Sequence, residues 1–268
     1  MTVDGGCIVI TGGAQGIGRA LAETFQEAGA KTIVLIDVDE PRLRDTARAL
    51  DVHRVAVDVT DSQAYTASLS DIQTQHGPID LLCSNAGIAV DGGPELADIE
   101  WDKVWQVNVM SLVYGARALL PAMVARGRGY FLHTVSAAGL LSQIGAASYA
   151  TTKHAAIGFS EWLAFSYRHL GVGVSCLCPQ GVQTAMVEKS GRLRPLLEQN
   201  VLSAGAVAKS ALAGLAQEQF LILPHTQVPR YRAFKHRDYD GWLTGMNALQ
   251  DRMGLQPTWP EQPAKENS

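Results

Sequence analysis

Positive charge and cysteine are both scarce in this sequence. With 22 Lys and Arg against 26 Asp and Glu, the formal net charge is -4, so the basic excess that draws proteins to nucleic acid or anionic membranes is missing. The cysteines, Cys7, Cys83, Cys176 and Cys178, stand alone or two apart in apolar runs. No CxxC or HxxxH spacing occurs, so no metal site is expected. The four are expected as buried free thiols in a reducing compartment. No uncharged apolar run reaches the roughly 18 residues of a membrane span. The N-terminus enters an apolar segment without a basic leader, which argues against a signal peptide. These absences point to a cytoplasmic protein. A GxSxG nucleophile elbow is missing as well, which removes the α/β hydrolase reading.

What is present is ordinary globular material. The chain has 268 residues, 47% of them hydrophobic and 18% charged, enough for a core without metal or disulfide staples. Short apolar runs at 7–11, 32–37, 54–57, 81–84, 130–135, 172–178 and 220–223 read as strands. Helical patterns at 16–28, 42–50, 61–75, 101–125, 148–169 and 204–217 alternate with them. Several runs are apolar throughout, as strands covered on both faces should be. The expected fold is α/β: a single doubly wound Rossmann-type domain with a seven-stranded parallel sheet flanked by helices. It spans 1–225. Residues 226–268 form a C-terminal extension, helical in its later part, that packs on the domain or a neighbouring subunit. Its final PTWPEQPAKENS is polar and expected to fray.

Directly after the first strand stands TGGAQGIG, with Gly12, Gly16 and Gly18 in a GxxxGxG pattern. Glycines there permit a tight turn and let backbone amides approach a pyrophosphate at a helix N-terminus. Asp37 ends the second strand about twenty residues on, where a carboxylate accepts hydrogen bonds from an adenosine ribose. Its charge repels a 2′-phosphate, and no Lys or Arg neighbours it in sequence or lies in the turn. NAD is therefore expected over NADP.

From here the chain resembles the short-chain dehydrogenases/reductases. TGGAQGIG matches that family's TGxxxGxG motif, which implies cofactor contacts from Gly12, Gln15, Gly16, Ile17 and Gly18. Asp58 and Val59, after the third strand, correspond to the residues that hold the adenine. Ser84, Asn85, Ala86 and Gly87 resemble the NNAG motif, with Ser84 replacing its first Asn. Asn108 matches the family's fourth catalytic residue, and Ser136 follows the fifth strand. Tyr149 and Lys153 form the YxxxK motif thirteen residues later. PQGVQTAM resembles the PGxxxT element, bringing Val182 and Thr184 toward the nicotinamide, with Gln180 in place of the usual glycine and Gly181 following. The resemblance covers about 5–225.

The chemistry suits these residue types. A secondary alcohol releases hydride only as its hydroxyl proton leaves, so a base is required. A phenol near pKa 10 serves only if positive charge stabilises the phenolate. Tyr149 and Lys153 are four apart on an expected helix and share a face, so the Lys153 ammonium and an oxidised nicotinamide should depress the phenol pKa. The resemblance implies that Lys153 also holds the nicotinamide ribose, and that Ser136 steadies the substrate oxygen. Asn108 would anchor a relay water. His154 points off the Tyr149–Lys153 face and is read as structural.

The expected function is an NAD-dependent oxidoreductase interconverting a hydrophobic secondary alcohol and its ketone. Leu140, Leu141, Ile144, Met186, Val187, Leu193, Leu196 and Leu197, in loops beyond the strand ends, suggest an apolar pocket. An NADPH-linked carbonyl or ketoacyl reductase and a non-catalytic NAD-binding sensor are the alternatives. Asp37 argues against the first and the acid–base set against the second. The resemblance implies a homotetramer or homodimer.

Overall fold

The computed structural model describes residues 1–188, 190–198 and 200–256. The chain alternates strands and helices through β1 (Cys7–Thr11), α1 (Gly16–Glu27), β2 (Thr32–Asp37), α2 (Glu40–Leu50), β3 (His53–Ala56), α3 (Ser62–His76) and β4 (Leu81–Ser84). Next come α4 (Asp98–Trp105), a π-helical turn Gln106–Met110, α5 (Ser111–Ala125), β5 (Gly129–Thr134), α6 (Ala138–Leu141), α7 (Ala147–Tyr167) and β6 (Val172–Leu177). The last stretch holds α8 (Ala185–Glu188), α9 (Arg194–Leu197), α10 (Ala204–Ala216), β7 (Leu221–Ile222), α11 (Val228–Arg237) and α12 (Tyr239–Arg252).

All strand pairings are parallel, in the order β3-β2-β1-β4-β5-β6-β7. Order reverses between β1 and β4, so the crevice at their carboxyl ends is where a doubly wound sheet binds ligands. Alternation along the strands builds the core twice over. Ile8, Ile10 and Leu35 face Leu21 and Phe25 of α1 and Val207 and Leu215 of α10. Val9, Ile36, Leu82 and Phe131 face Tyr65 and Leu69 of α3, Leu119 of α5 and Leu163 of α7. The four cysteines are buried and free.

Local chemistry moved several element ends. The second helix starts before the expected residue 42 because Asp39 caps it, accepting from the Arg42 amide at 3.2 Å, and Pro41 stands in its first turn. The fifth strand stops at Thr134, so Ser136 lies just beyond it, and β7 has two residues instead of four. The helix expected at 101–125 starts at Asp98 and widens into the π turn around Asn108. Loops 138–147 and 185–202 carry α6, α8 and α9.

The stretch Asp98–Ala125 is long and apolar enough by composition to cross a membrane, although charged residues interrupt it and no uncharged run of about 18 residues occurs within it. In this fold its Ala116, Leu119 and Met123 pack on the sheet. The extension is helical from its start. Tyr231 and Trp242 pack with Val228, Ala137 and Leu141, while Met246, Leu249 and Met253 pack with Ile144 and Leu193. The terminal PTWPEQPAKENS lies outside the described residues.

Candidate active site

The glycine turn is shaped from two sides. Gly12 and Gly16 have φ of +64° and +56°, values that favour glycine. Gly18 is required for another reason: a Cβ there would lie 2.1 Å from the Gly12 carbonyl oxygen. Asn85 pins the turn from below. Its Nδ2 donates to the carbonyls of Thr11 and Gly12 at 3.1 and 3.2 Å, and its amide donates to Thr11 Oγ1 at 2.9 Å. The Ala86 amide shares that hydroxyl at 3.0 Å. Ile17 packs beneath the turn on the core. No group of three His, Cys, Asp or Glu suited to a metal exists among the described residues.

Asp37 closes the crevice at the end of β2. Its Oδ2 accepts from the Ala14 amide and its Oδ1 from the Asp39 amide, both at 3.0 Å. No Lys or Arg adjoins Asp37 in sequence, but the fold brings one to the neighbouring turn. Arg42 Nη1 donates to Gln15 Oε1 at 2.9 Å and pairs with Asp39 Oδ2 at 3.2 Å. The capped first turn of α2 folds this guanidinium back onto the glycine turn, a contact that adjacency in sequence does not reveal. Asp58 sits two residues past β3, in a turn where its Oδ1 accepts from the Thr60 amide and hydroxyl at 2.9 and 2.8 Å. Val59 is buried in the core.

The second cluster gathers at the carboxyl ends of β4, β5 and β6. Lys153 is 4% exposed, and its Nζ donates to the Thr134 carbonyl at 3.1 Å and lies 5.5 Å from the Tyr149 ring centre. Ser136 lies close enough to the Tyr149 phenol to pull its pKa down, while its Oγ accepts from the Ala138 amide at 3.0 Å and donates to the Pro179 carbonyl at 3.4 Å. Asn108 is buried, not a surface polar residue. Its Oδ1 accepts from the Ile88 amide at 3.0 Å, while Nδ2 donates to Ile88 O at 2.9 Å and Thr152 Oγ1 at 3.1 Å. Both amide protons are thereby committed, so the Asn108 side chain ties the β4 loop to α7. A Cβ at Gly87 would stand 3.4 Å from both Asn108 Oδ1 and Lys153 Nζ, so the three residues meet at one corner.

Burial raises the Tyr149 pKa, opposed by Ser136. Burial lowers that of Lys153 to about 8. Desolvation penalises both charged forms, and these directions hold for the protein without the nicotinamide charge. Beneath them, His133 is fully buried and held neutral, with its pKa pushed down to about 3 by burial and by Lys153. His154 is exposed, off this cluster.

The loop after β6 completes the crevice. A Cβ at Gly16 would meet Thr184 Cγ2 at 3.1 Å, so Thr184 rests against the glycine turn, and Val182 is buried beside it. The Tyr149 ring packs in an apolar cluster with Ile144, Leu193, Leu196 and Leu197. Leu140 and Leu141 turn instead toward Val228 and Tyr231, and Met186 is exposed. Met246, Leu249 and Met253, in and just after α12, join the cluster on which Tyr149 packs; the sequence singled out Met246 in the extension but not Leu249 or Met253. Their helical spacing was visible, but not which surface they would meet. Nor did the sequence show that the His53 and His76 rings meet at a tilt, with centres 4.2 Å apart.

A family profile described as short chain dehydrogenase matches residues 6–194. The chain belongs to that family. It is 34% identical over 227 residues to 1-deoxy-11-beta-hydroxypentalenate dehydrogenase of Streptomyces exfoliatus, covering 81% of this chain and 82% of that protein. It is 30% identical over 231 residues to estradiol 17-beta-dehydrogenase 11 of Homo sapiens, covering 82% and 75%. A short-chain dehydrogenase/reductase from Burkholderia phymatum, solved in complex with NAD, superposes with a TM-score of 0.83 at 28% identity, covering 98% of this chain and 99% of that one. The protein is therefore a short-chain dehydrogenase/reductase oxidoreductase, and the seven-stranded parallel sheet is the fold it shares with these relatives.

Proposed function

We propose that the protein is an NAD-dependent dehydrogenase that interconverts a hydrophobic secondary alcohol and its ketone, with Tyr149 as the acid/base. The observation that carries this reading is the junction of Tyr149, Ser136 and Lys153 beneath an apolar wall, beside a glycine turn that tolerates no added Cβ at Gly18. When bound, NAD would accept the hydride and place a positive ring charge near the phenol. Gly12, Gly16 and Gly18 leave room for a pyrophosphate, Asp37 takes the ribose hydroxyls, and Lys153 takes those of the second ribose. Ser136 orients the substrate oxygen toward Tyr149, which takes its proton in oxidation and returns it in reduction.

Ile144, Leu193, Leu196 and Met246 around the Tyr149 ring support an apolar substrate. The names of the two relatives specify a hydroxypentalenate and estradiol, both hydroxyl-bearing molecules. Asp37 and the NAD bound to the Burkholderia protein support NAD. Arg42 is the one feature that favours the NADPH-linked reductase reading, and its pairing with Asp39 weakens that case. Exposed Ile99, Trp105, Trp162 and Phe165 on α4 and α7 support a homo-oligomer.

Absorbance of the reduced coenzyme, followed over a panel of secondary alcohols with NAD and NADP, tests the activity. Tyr149→Phe should lower kcat by about a thousandfold while NAD affinity is kept. Near-intact turnover of a confirmed substrate by that variant refutes the assignment.

A further inference from the structure

We infer that His225, from the segment joining β7 to α11, is the positioning residue that sets the Gln180–Thr184 loop against the nicotinamide half of the cofactor site. The inference rests on the NAD reading above and adds to it a residue outside every motif named so far.

The seventh strand pairs with β6 over only two positions, and the last ladder bond runs from the Cys178 amide to Ile222 O at 2.9 Å. Beyond it the β6 chain continues as Pro179, Gln180 and Gly181, whose buried backbone groups still need partners. The imidazole of His225 supplies them. The Gln180 amide donates to Nδ1 at 3.1 Å, and Nε2 lies 3.1 Å from Gly181 O. An amide can only donate and a carbonyl can only accept, so the ring must be neutral with its proton on Nε2. One side chain thus presents an acceptor and a donor to consecutive residues, as another strand residue would. It is 3% exposed, so water does not substitute for it.

A second contact comes from the same segment. Gln227 Nε2 donates to Gln180 Oε1 at 2.6 Å. Gln180 is the position where this chain departs from the family's glycine, and the larger side chain is accommodated by being held from α11. On its far side the loop cannot retreat, because a Cβ at Gly181 would lie 1.7 Å from Leu197 O and the Leu202 amide also donates to Gly181 O at 3.1 Å. The path through Val182 to Thr184 is fixed between these supports, and Thr184 rests on Gly16. His225 makes no contact with the adenosine end, which Asp37 and Gln15 border. Its influence should reach the nicotinamide end alone.

The test compares two nucleotides on the full chain by titration calorimetry: NAD, and ADP-ribose, which lacks the nicotinamide. His225→Leu keeps an apolar volume and removes both bonds. It should raise the Kd for NAD by roughly tenfold, the effect of two lost neutral hydrogen bonds on loop order, and leave the Kd for ADP-ribose at the wild-type value. His225→Gln retains a donor and an acceptor and should recover part of the NAD affinity. If His225→Leu does not fold, His225→Gln and Gln227→Ala decide on the same ratio of the two constants. An unchanged ratio in folded variants, whether both ligands weaken or neither does, overturns the inference about His225 alone. Wild-type protein that binds neither nucleotide overturns the functional reading and this inference with it.

Discussion

His133 sits on β5 beneath the catalytic corner, with no exposed surface. Its Nδ1 lies 2.7 Å from Ser160 Oγ, and Ser160 gives its single proton to Ala156 O at 2.6 Å. The ring must therefore donate from Nδ1, which leaves Nε2 as a bare acceptor without a partner among the described residues. Protonation would put a second buried charge near Lys153, and the pKa falls from 6.5 to about 3. That displacement is worth on the order of 5 kcal/mol at about 1.4 kcal/mol per pH unit. The sign follows from proton uptake. Below the ordinary histidine pKa the unfolded chain binds a proton that the folded chain refuses, so stability is lost as pH falls from 6.5 toward about 3. Between pH 6.5 and about 4.5 the loss from this residue should be about 2 kcal/mol. Urea unfolding at several pH values in that window, on wild type and His133→Leu, isolates it, because other titrating groups contribute equally to both. The variant should show a pH dependence shallower by that amount. Parallel pH slopes for the two proteins refute the reasoning, since the burial of a neutral ring would then cost nothing to charge.

The other predictions concern the site. Asp37→Ala should raise the NADP-to-NAD ratio of kcat/KM by about tenfold, because Arg42 then faces a 2′-phosphate without the competing carboxylate; Arg42→Ala in that background should cancel the gain, and an unchanged ratio in Asp37→Ala removes the discrimination argument. Gly18→Ala places a methyl 2.1 Å from Gly12 O, so NAD binding measured by calorimetry should be lost; wild-type affinity would show that the turn can shift. With the Tyr149 pKa raised by burial, the phenol is protonated at neutral pH, so alcohol oxidation should accelerate from about pH 7 to about 9 while ketone reduction does not. An oxidation rate that falls over that range contradicts Tyr149 as the base.

The strand-turn-helix start was readable because each part has a local cause: an apolar run that must be covered, glycines at positions needing positive φ, and Asp37 at a strand end. The seven-stranded parallel sheet and the pairing of Tyr149 with Lys153 were equally accessible, since one follows from the alternation of apolar strands with helices and the other from helical spacing. What stayed hidden depends on long-range packing. Arg42 reaches Gln15 only because Asp39 caps α2 and turns its first residues toward β1. Met246 and Leu249 have a helical spacing that marks an apolar face, but not that this face meets the Ile144 and Leu193 cluster on which Tyr149 also packs. The upward push of burial on the Tyr149 pKa was hidden for a related reason. Spacing showed that a cation was near, while the extent of desolvation emerges only from the packed fold.

These shifts bear on how the site divides its labour. Burial pushes the Tyr149 phenol up and the Lys153 ammonium down toward about 8, so at neutral pH the phenol keeps its proton and Lys153 is still mostly ammonium. A neutral phenol is the correct form for donating a proton to a ketone, and it requires no outside help. Drawing a proton from an alcohol needs the phenolate, which desolvation opposes and which Lys153 alone does not secure. Added positive charge beside the phenol is what would change the balance, and a low-dielectric corner makes such charge count for more than it would in water. The same burial that handicaps Tyr149 as a base when nothing is bound makes its basicity conditional on what is bound. A solvent-exposed Tyr and Lys at the same spacing would have ordinary pKa values and would lack that dependence. On the proposed reading, the burial of this corner by the apolar cluster against which Tyr149 packs would serve the chemistry as well as the packing.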